Sequence, residues 1–167
     1  MTDHAADAIV IRTATAADRA FLVSLDDRLI EEAVVPDITQ DDLIAFQAHY
    51  TRDALDAGKA GALTLIAVDS AGQPLGYIHL EPHEDMLTGG ISGYVSMPAV
   101  RAAAEGRGVA KRLMDAAEAW AVQSGFRFLM LDVFASNATA RRFYVRSGFV
   151  EESLRLRRSV SVRRGGA

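Results

Sequence analysis

Hydrophobic positions in the first half of the chain follow two periods, one typical of strands and one typical of helices. Short apolar runs at Ile9–Arg12, Ala62–Asp69 and Leu75–Glu81 predict three strands. Two capping-box patterns, Thr15–Asp18 and Thr39–Asp42, each precede apolar residues at helical spacing. The first third of the chain is therefore predicted to form one strand followed by two helices.

The second half of the chain predicts further elements of both kinds. A polar loop over Pro82–Gly90 leads into a strand at Ile91–Arg101, and a long amphipathic helix follows over Arg107–Ser124. The almost continuously apolar run Phe128–Val133 is typical of a strand that is covered on both faces. Asn137 then stands where the N-cap of a short helix belongs.

A last strand is predicted near the C-terminus, where apolar residues alternate with arginines and serines. The apolar positions are Leu154, Leu156, Val160 and Val162. Together the elements predict a single α/β domain over residues 1–167, with a mixed sheet of about six strands flanked by four helices. Residues 1–7 and 163–167 are expected to be frayed.

Composition narrows the class of protein. The net charge of −4 disfavours nucleic-acid binding, and no segment approaches the ~20 apolar residues of a membrane helix. The polar N-terminus does not resemble an export signal, so a cytoplasmic protein is expected. The absence of cysteine excludes disulfides and a cysteine-bound acyl intermediate. No metal is expected, because His79 and His83 would lie ~13 Å apart on an extended strand that carries Glu81 between them.

The turn between the strand at Ile91–Arg101 and the next helix is the strongest candidate for a binding site. Gly106 and Gly108 lie in it, and the first amides of a helix lack intrahelical partners, so the turn suits a pyrophosphate. A glycine turn that only begins a helix explains the same residues. A dinucleotide fingerprint would need glycine in place of Lys111, although Asp132 fits that alternative. A Walker A loop would need Gly-Lys before Ser or Thr, which the chain lacks.

Several short motifs follow this turn in a fixed order. They are Tyr94–Val100, Glu105–Ala110, Ala116–Trp120, Leu131–Val133 and Asn137–Phe149. In this order and spacing, the stretch from Tyr94 to Arg157 resembles the GNAT superfamily of N-acetyltransferases. The family pattern at the turn is Gln or Arg, two residues, Gly, one residue, then Gly or Ala. Positions 105, 108 and 110 carry Glu, Gly and Ala.

The resemblance implies the GNAT acyl-CoA N-acyltransferase fold and a site for acetyl-CoA as co-substrate. Backbone amides of the turn would hold the pyrophosphate, and the pantetheine arm would lie between the strand ending at Val100 and the strand at Leu129–Val133. The residues that the resemblance places at the coenzyme are Pro98, Ala99, Val100, Glu105, Gly106, Arg107, Gly108, Val109, Ala110, Lys111, Asn137, Ala140 and Tyr144. Glu105 departs from the pattern. Because its carboxylate would repel a pyrophosphate, its side chain is expected to turn away.

The resemblance also implies that an amine attacks the thioester directly and passes through a tetrahedral intermediate. Tyr144 would be the general acid that protonates the leaving thiolate, and a backbone amide near Val100 would meet the oxyanion. As a bare residue, Tyr144 could equally be an aromatic that packs its helix against the sheet. Asn137 would bond the pantetheine arm in addition to capping its helix.

The general base is left open between several residues. Relatives often carry a glutamate at the position of Ser96, and a serine is too weak a base to replace it. Glu81 and His79 on the neighbouring strand are the first candidates, and His83 and Glu84 in the following loop are further ones. Ordinary solvent exposure explains each of these side chains as well.

The acceptor is expected to be a small amine, bound by the two N-terminal helices and the 82–90 loop. Possible lining residues are Glu31, Glu32, His49 and Tyr50.

Because little chain remains after Gly148 for further strands, a homodimer that completes the sheet is expected. Two alternatives to the enzyme stay open: a non-catalytic module that binds acyl-CoA and, less favoured, a dinucleotide-binding domain.

Overall fold

The computed structural model describes residues 8–160. Five strands form one mixed sheet in the order β1-β2-β3-β4-β5, and all neighbours are antiparallel except β4 and β5. The strands are β1 Val10–Thr13, β2 Leu63–Val68, β3 Pro74–Asp85, β4 Gly90–Val100 and β5 Leu129–Leu131. The α-helices are α1 Arg19–Val23, α2 Asp26–Ile30, α3 Gln40–Asp56, α4 Val109–Gln123 and α5 Ala138–Arg146.

Side chains alternate across the sheet, so each central strand contributes to two cores. On β2, Leu65 and Ala67 pack with α4, whereas Ile66 and Val68 pack with α1 and α3. The helices therefore cover both faces, with α1–α3 on one side and α4 and α5 on the other. The predicted α/β class with a mixed sheet is confirmed. No helix within residues 8–160 combines the length and the apolar character needed to cross a bilayer.

The strand β3 is longer than predicted. It continues to Asp85, so the prediction of a loop over Pro82–Gly90 is wrong and most of that segment forms a β-hairpin. The Asp85 side chain closes the tight turn by accepting hydrogen bonds from the backbone N–H of Leu87 at 2.9 Å and the hydroxyl of Thr88 at 2.7 Å. Pro82 is compatible with the strand because β2 no longer pairs with β3 at that position.

The two central strands approach each other closely near the end of β4. A Cβ atom at Gly76 would lie 2.6 Å from the carbonyl oxygen of Ala99 and 3.0 Å from Cα of Val100. Only glycine therefore allows β3 to pair with the last residues of β4. This close approach fixes one wall of the candidate site described below.

The sheet has five strands in the described part of the chain, and the predicted sixth strand is wrong over residues 151–160, which have no regular structure. The side chains of Leu154, Leu156 and Val160 are 76%, 90% and 77% exposed. Alternation makes a strand only where a neighbouring strand supplies hydrogen bonds and cover. Val162 and the two ends that were expected to be frayed lie outside the described residues.

The first predicted helix is divided into α1 and α2, which gives five α-helices among the described residues instead of four. The hydroxyl of Ser24 donates to the carbonyl of Phe21 at 2.7 Å, and Leu25 leaves the helical conformation. A serine that bonds its local backbone competes with the helical ladder, which is why the helix breaks there. After the break, Arg28 of α2 reaches the end of β4, where its Nε donates to the carbonyl oxygen of Val100.

Candidate active site

The parallel strands β4 and β5 pair over only three positions. Gly93 pairs with Leu129, Tyr94 with Met130, and Val95 with Leu131. β5 ends there, whereas β4 continues to Val100. A gap therefore opens between the end of β4 and the chain that follows β5.

A β-bulge lies at the position where the gap begins. Val95 pairs with Leu80 and Met97 with His79, so Ser96 is an additional residue without a partner on β3. Its hydroxyl donates to the carbonyl of His79 at 3.4 Å. A bulge redirects the side chains of its strand, and here it does so at the closed end of the gap.

The glycine turn connects β4 to α4 beside this gap. Gly106 and Gly108 have φ of 72° and 81°, in the left-handed region, and Gly108 is the N-cap of α4. A Cβ at either position would meet nothing within 4 Å, so the backbone conformation, and not crowding, favours glycine. The first turn of α4 contains no acidic side chain, and its N–H groups and the helix dipole favour an anion.

Glu105 stands immediately before Gly106, where a carboxylate would oppose an anion. Its side chain pairs with Arg28 of α2, which also pairs with Glu31. Through Nε, Arg28 donates to the carbonyl oxygen of Val100 at 3.2 Å. The charge of Glu105 is thus partly offset by a cation from another element, which Glu31 shares.

The helix α5 lies on the α4 side of the sheet and carries Tyr144. Its ring makes edge contacts with Phe143 and Phe149, at centroid distances of 5.4 and 5.8 Å, and packs on the core formed with α4. Burial raises the pKa of the Tyr144 phenol to about 12, so the hydroxyl is protonated at neutral pH. Asn137 is the N-cap of α5 and accepts a hydrogen bond from the N–H of Ala140 at 2.9 Å.

A group of polar side chains lies across the point where the two strands part. The Tyr94 hydroxyl of β4 donates to Oδ2 of Asp132, directly after β5, at 3.0 Å. Burial, then the negative charge of Asp132, raises the pKa of Tyr94 far above its usual value. Burial, then the charge of Glu81, raises that of Tyr50, while a hydrogen bond with Ser96 opposes the shift. The charges of Asp132 and of Glu81 on β3 both act on Tyr94, and two carboxylates near the opening suit a cationic ligand.

Glu81 and His79 occupy the same strand but differ in access. The Glu81 side chain is 17% exposed and forms an ion pair with Nζ of Lys59 at 3.2 Å. His79 is 4% exposed; its Nδ1 hydrogen-bonds the Thr64 hydroxyl at 2.7 Å, and its Nε2 has no partner among residues 8–160. A cleft of about 330 Å³ beside Lys59 borders His79. Because Glu81 is more accessible, it is the better placed of the two to exchange a proton with a ligand.

Burial makes His79 a source of pH-dependent stability. Burial lowers its pKa from the ordinary 6.5, against a smaller opposing effect of Glu81, so the unfolded chain binds the proton first. We expect its contribution to the free energy of unfolding to be complete above pH 6.5 and to decrease as the pH falls toward the lowered pKa. Urea unfolding between about pH 5 and 8 measures this dependence, and His79→Gln should flatten it.

The matched control for this prediction is His49→Gln. His49 is exposed on α3, where its Nε2 lies 3.2 Å from Asp53. Removing it should leave most of the slope in place. An unchanged slope in His79→Gln would show that another group causes the dependence.

The residues predicted to line an acceptor pocket are not all brought together. Tyr50 contributes to the polar group above, whereas Glu31 pairs with Arg28 beside the glycine turn. His49 points to Asp53 on its own helix. Glu32 is exposed, and its carbonyl accepts a hydrogen bond from Ser136 at 2.6 Å. Within the part of the chain that the structure describes, no three His, Asp or Glu side chains are grouped to hold a metal ion.

Three residues at the site carry contacts that sequence reasoning missed. In the sequence, Tyr94 is a polar aromatic residue within an apolar strand. Asp132 is a carboxylate directly after the apolar strand that ends at Leu131. These signals indicate a strand end near a site but not the bond between the two side chains. Arg28 gives no such signal, because its partner Glu105 is 77 positions away.

Comparison with known proteins identifies a family that this sequence matches. The sequence profile of the acetyltransferase (GNAT) family matches residues 23–149. No curated protein sequence matches the chain.

Solved structures share the fold at low sequence identity. A structure from Pyrococcus furiosus superposes with a TM-score of 0.76 at 19% identity, covering 92% of this chain and 100% of that one. The aminoglycoside N-acetyltransferase AAC(6')-Iy, solved in complex with CoA, superposes with a TM-score of 0.66 at 20% identity. The match covers 91% of this chain and 95% of that one. The glucosamine-6-phosphate N-acetyltransferase of Arabidopsis thaliana superposes with a TM-score of 0.62 at 15% identity, and the match covers 92% of this chain and 99% of that one. At these identities the likeness establishes the fold alone.

Proposed function

Because the chain belongs to the GNAT acetyltransferase family, we propose that it transfers the acetyl group of acetyl-CoA to a small amine. The observation that carries the proposal is the gap between β4 and β5, which opens after Val95 and Leu131 beside the glycine turn. A helix N-terminus suits the pyrophosphate, and a gap between parted strands suits an extended arm. The CoA complex of AAC(6')-Iy, which shares the fold, supports the use of an acyl-CoA.

The proposed coenzyme site uses mainly backbone groups. Amides from Glu105 through Lys111 would bind the pyrophosphate, and the backbone of Pro98–Val100 would bond the pantetheine arm along β4. Asn137 and Ala140, at the start of α5, would border the arm from the opposite side, since they lie at the end of the segment that follows β5. Acetyl-CoA supplies an activated thioester carbonyl when it is bound.

The proposed reaction is a direct transfer. The amine nitrogen attacks the thioester carbonyl, a carbon–nitrogen bond forms, and the carbon–sulfur bond of the tetrahedral intermediate then breaks. A backbone N–H near Val100 stabilises the oxyanion, and Tyr144 gives its proton to the leaving thiolate. The nitrogen of the intermediate carries one proton more than the product amide, and this proton returns the Tyr144 phenolate to its phenol form. Glu81 takes a proton from the incoming ammonium, directly or through water. The carboxylates of Glu81 and Asp132 attract that ammonium before it reacts.

An acceptor screen tests the proposal. Purified protein is mixed with acetyl-CoA and a panel of amines (polyamines, amino acids, amino sugars and aminoglycosides), and free CoA is measured with a thiol reagent. We expect amine-dependent release of CoA with at least one class of amine. Tight binding of CoA without release across the panel would instead support a non-catalytic acyl-CoA-binding module, for which Ser96 at the usual position of a glutamate is the motivating feature. Preferential binding of NAD in a thermal-shift comparison would support a dinucleotide site.

We also propose that the chain forms a homodimer through residues 151–160. Leu154 and Leu156 are exposed in this segment, and β5 has only β4 as a neighbour within residues 8–160. The segment has the apolar–polar alternation of a strand but no neighbouring strand, and β5 has an edge whose backbone groups can pair with a further strand. Pairing of the two would therefore satisfy both. The same segment of a second copy would satisfy both.

Light scattering after gel filtration measures the oligomeric state. We expect a dimer for the wild type and a monomer for the double variant Leu154→Glu with Leu156→Glu, because two buried charges oppose the interface. Ser153→Glu adds a charge to the same segment without removing an apolar side chain, so it should remain dimeric. A monomeric wild type at all concentrations tested would contradict the proposal.

A further inference from the structure

Resting on the proposed acetyl-CoA site, we propose that α2 and the residues after it, 26–34, form a bridge across the gap that sets its width for the coenzyme. Arg28 anchors this bridge to the β4 side, and Ser136 anchors it to the β5 side. Both are positioning residues in this proposal, because they act through the backbone that would bind the coenzyme.

The contacts on the β4 side are made by one guanidinium. Arg28 donates through Nε to the carbonyl oxygen of Val100 at 3.2 Å and pairs through its terminal nitrogens with Glu105 and Glu31. Val100 ends β4, and Glu105 precedes the glycine turn, so Arg28 joins both ends of the connecting segment to α2. The Arg28 side chain is 25% exposed, which keeps these interactions partly shielded from solvent.

The contacts on the β5 side involve the residues just after α2. The Ser136 hydroxyl donates to the carbonyl of Glu32 at 2.6 Å and accepts from the N–H of Val34 at 2.9 Å. Ser136 directly precedes Asn137, the N-cap of α5. Ile30, which is 2% exposed, packs in a cluster that includes Phe134 from the same segment. The bridge is therefore bonded and packed against the second wall of the gap.

These two sets of contacts explain why a bridge would matter to the coenzyme. The two strands have no hydrogen bonds to each other beyond Val95 and Leu131, so nothing in the sheet itself fixes their separation there. The turn also contains glycines with positive φ at 106 and 108, which are flexible in the absence of other restraints. Holding both walls in advance reduces the entropy that coenzyme binding would otherwise lose.

The bridge also accounts for the unusual Glu105. A carboxylate beside a pyrophosphate weakens binding unless a cation neutralises it. Arg28 offsets part of this charge, although its guanidinium is shared with Glu31, and the cation comes from α2 and not from the turn itself. Glu105→Gln should then affect coenzyme binding in two opposite ways, by removing the repulsion and by releasing the bridge. Arg28→Met removes the anchor and leaves the repulsion, so its effect is the larger.

The test compares CoA affinity by isothermal titration calorimetry in Arg28→Met, Ser136→Ala and the double variant. We expect the Kd for CoA to rise about tenfold in Arg28→Met and about threefold in Ser136→Ala, and the double variant to differ from the product of the two because both anchors fix one gap. Arg28→Lys should recover only part of the affinity, since an ammonium cannot hold Val100 and Glu105 in a planar fork. Arg19→Met is the matched control. It breaks a similar pair with Asp56, at 2.8 Å, away from the gap, and should leave the Kd unchanged.

Kinetics distinguish positioning of the coenzyme from a general loss of structure. Where an acceptor is found, Arg28→Met should raise the KM for acetyl-CoA about tenfold and leave kcat and the acceptor KM within about twofold. A Kd within twofold of the wild type, an equal rise in both KM values, or strictly multiplicative effects of the two anchors would overturn the bridge. If the wild type binds CoA but acetylates no amine, the proposed function fails while the CoA titrations still decide this proposal. A wild type that binds no CoA would overturn both.

Discussion

Tyr144→Phe should lower the kcat of acetyl transfer about 100-fold while leaving the KM for acetyl-CoA within about twofold, as expected when a general acid is removed. Burial raises the pKa of Tyr144 to about 12, so the phenol is protonated at neutral pH and available as a donor. A thiolate leaving beside this buried phenol would be destabilised by its charge and would gain most from that proton. Phenylalanine keeps the ring contacts with Phe143 and Phe149, so packing is preserved.

The matched control makes the same chemical change in the core. Tyr77 is fully buried between β3 and the α1–α3 layer, where its hydroxyl lies 3.9 Å from the sulfur of Met97. Tyr77→Phe should alter kcat less than twofold. Steady-state rates of thiol release measure both variants once an acceptor is known. Equal rates in wild type and Tyr144→Phe would refute the assignment of the acid.

Glu81→Gln should lower kcat/KM for the amine about 100-fold near neutral pH, because the amide keeps the shape of the side chain but cannot accept the ammonium proton. Glu81 is partly accessible beside Lys59, and its charge acts on both Tyr50 and Tyr94. Glu81 pairs in register with Tyr94 of β4, so its side chain lies on the same face of the sheet as the Tyr94 hydroxyl. Part of the loss should appear in the KM for the amine, since the carboxylate also attracts the cation.

Two comparisons separate this role from general electrostatics. Glu84→Gln removes an equal charge from an exposed position on the same strand and should change kcat/KM less than twofold. His79→Gln should have a small effect on the rate, because the buried imidazole already uses Nδ1 for Thr64. Profiles of kcat/KM from about pH 6 to 9 measure all three variants. Similar losses in Glu81→Gln and Glu84→Gln would indicate a diffuse charge effect and no general base.

Much of the local structure could be predicted from periodicity and caps. The long helix predicted over Arg107–Ser124 is observed as Val109–Gln123, and Thr39 and Asn137 cap the helices that they were expected to cap. These features depend on residues within one or two turns of each other, so the local pattern contains the necessary information. The predicted coenzyme residues stay a prediction, although the structure places the glycine turn at the open end of the gap.

What could not be predicted depends on distant partners. The bulge at Ser96 arises from the register of β4 on β3, and a pattern of period two does not specify register. The prediction of a sixth strand was wrong because residues 151–160 have the apolar–polar alternation of a strand but no neighbouring strand among the described residues of this chain. The bond between Tyr94 and Asp132 joins positions 38 apart, which no local pattern relates.

The sequence by itself determined the kinds of elements, most of their limits, the glycine turn before α4 and the family to which these motifs belong. The tertiary structure alone decided that β4 and β5 separate after three pairs, that Arg28 pairs with Glu105, and that Glu81 is partly accessible whereas His79 is buried. The physical reason is the distance along the chain over which each interaction acts. Helix propensity, caps and turns act between near neighbours in the chain, whereas strand separation, ion pairing and burial depend on which distant segments the folded chain brings into contact.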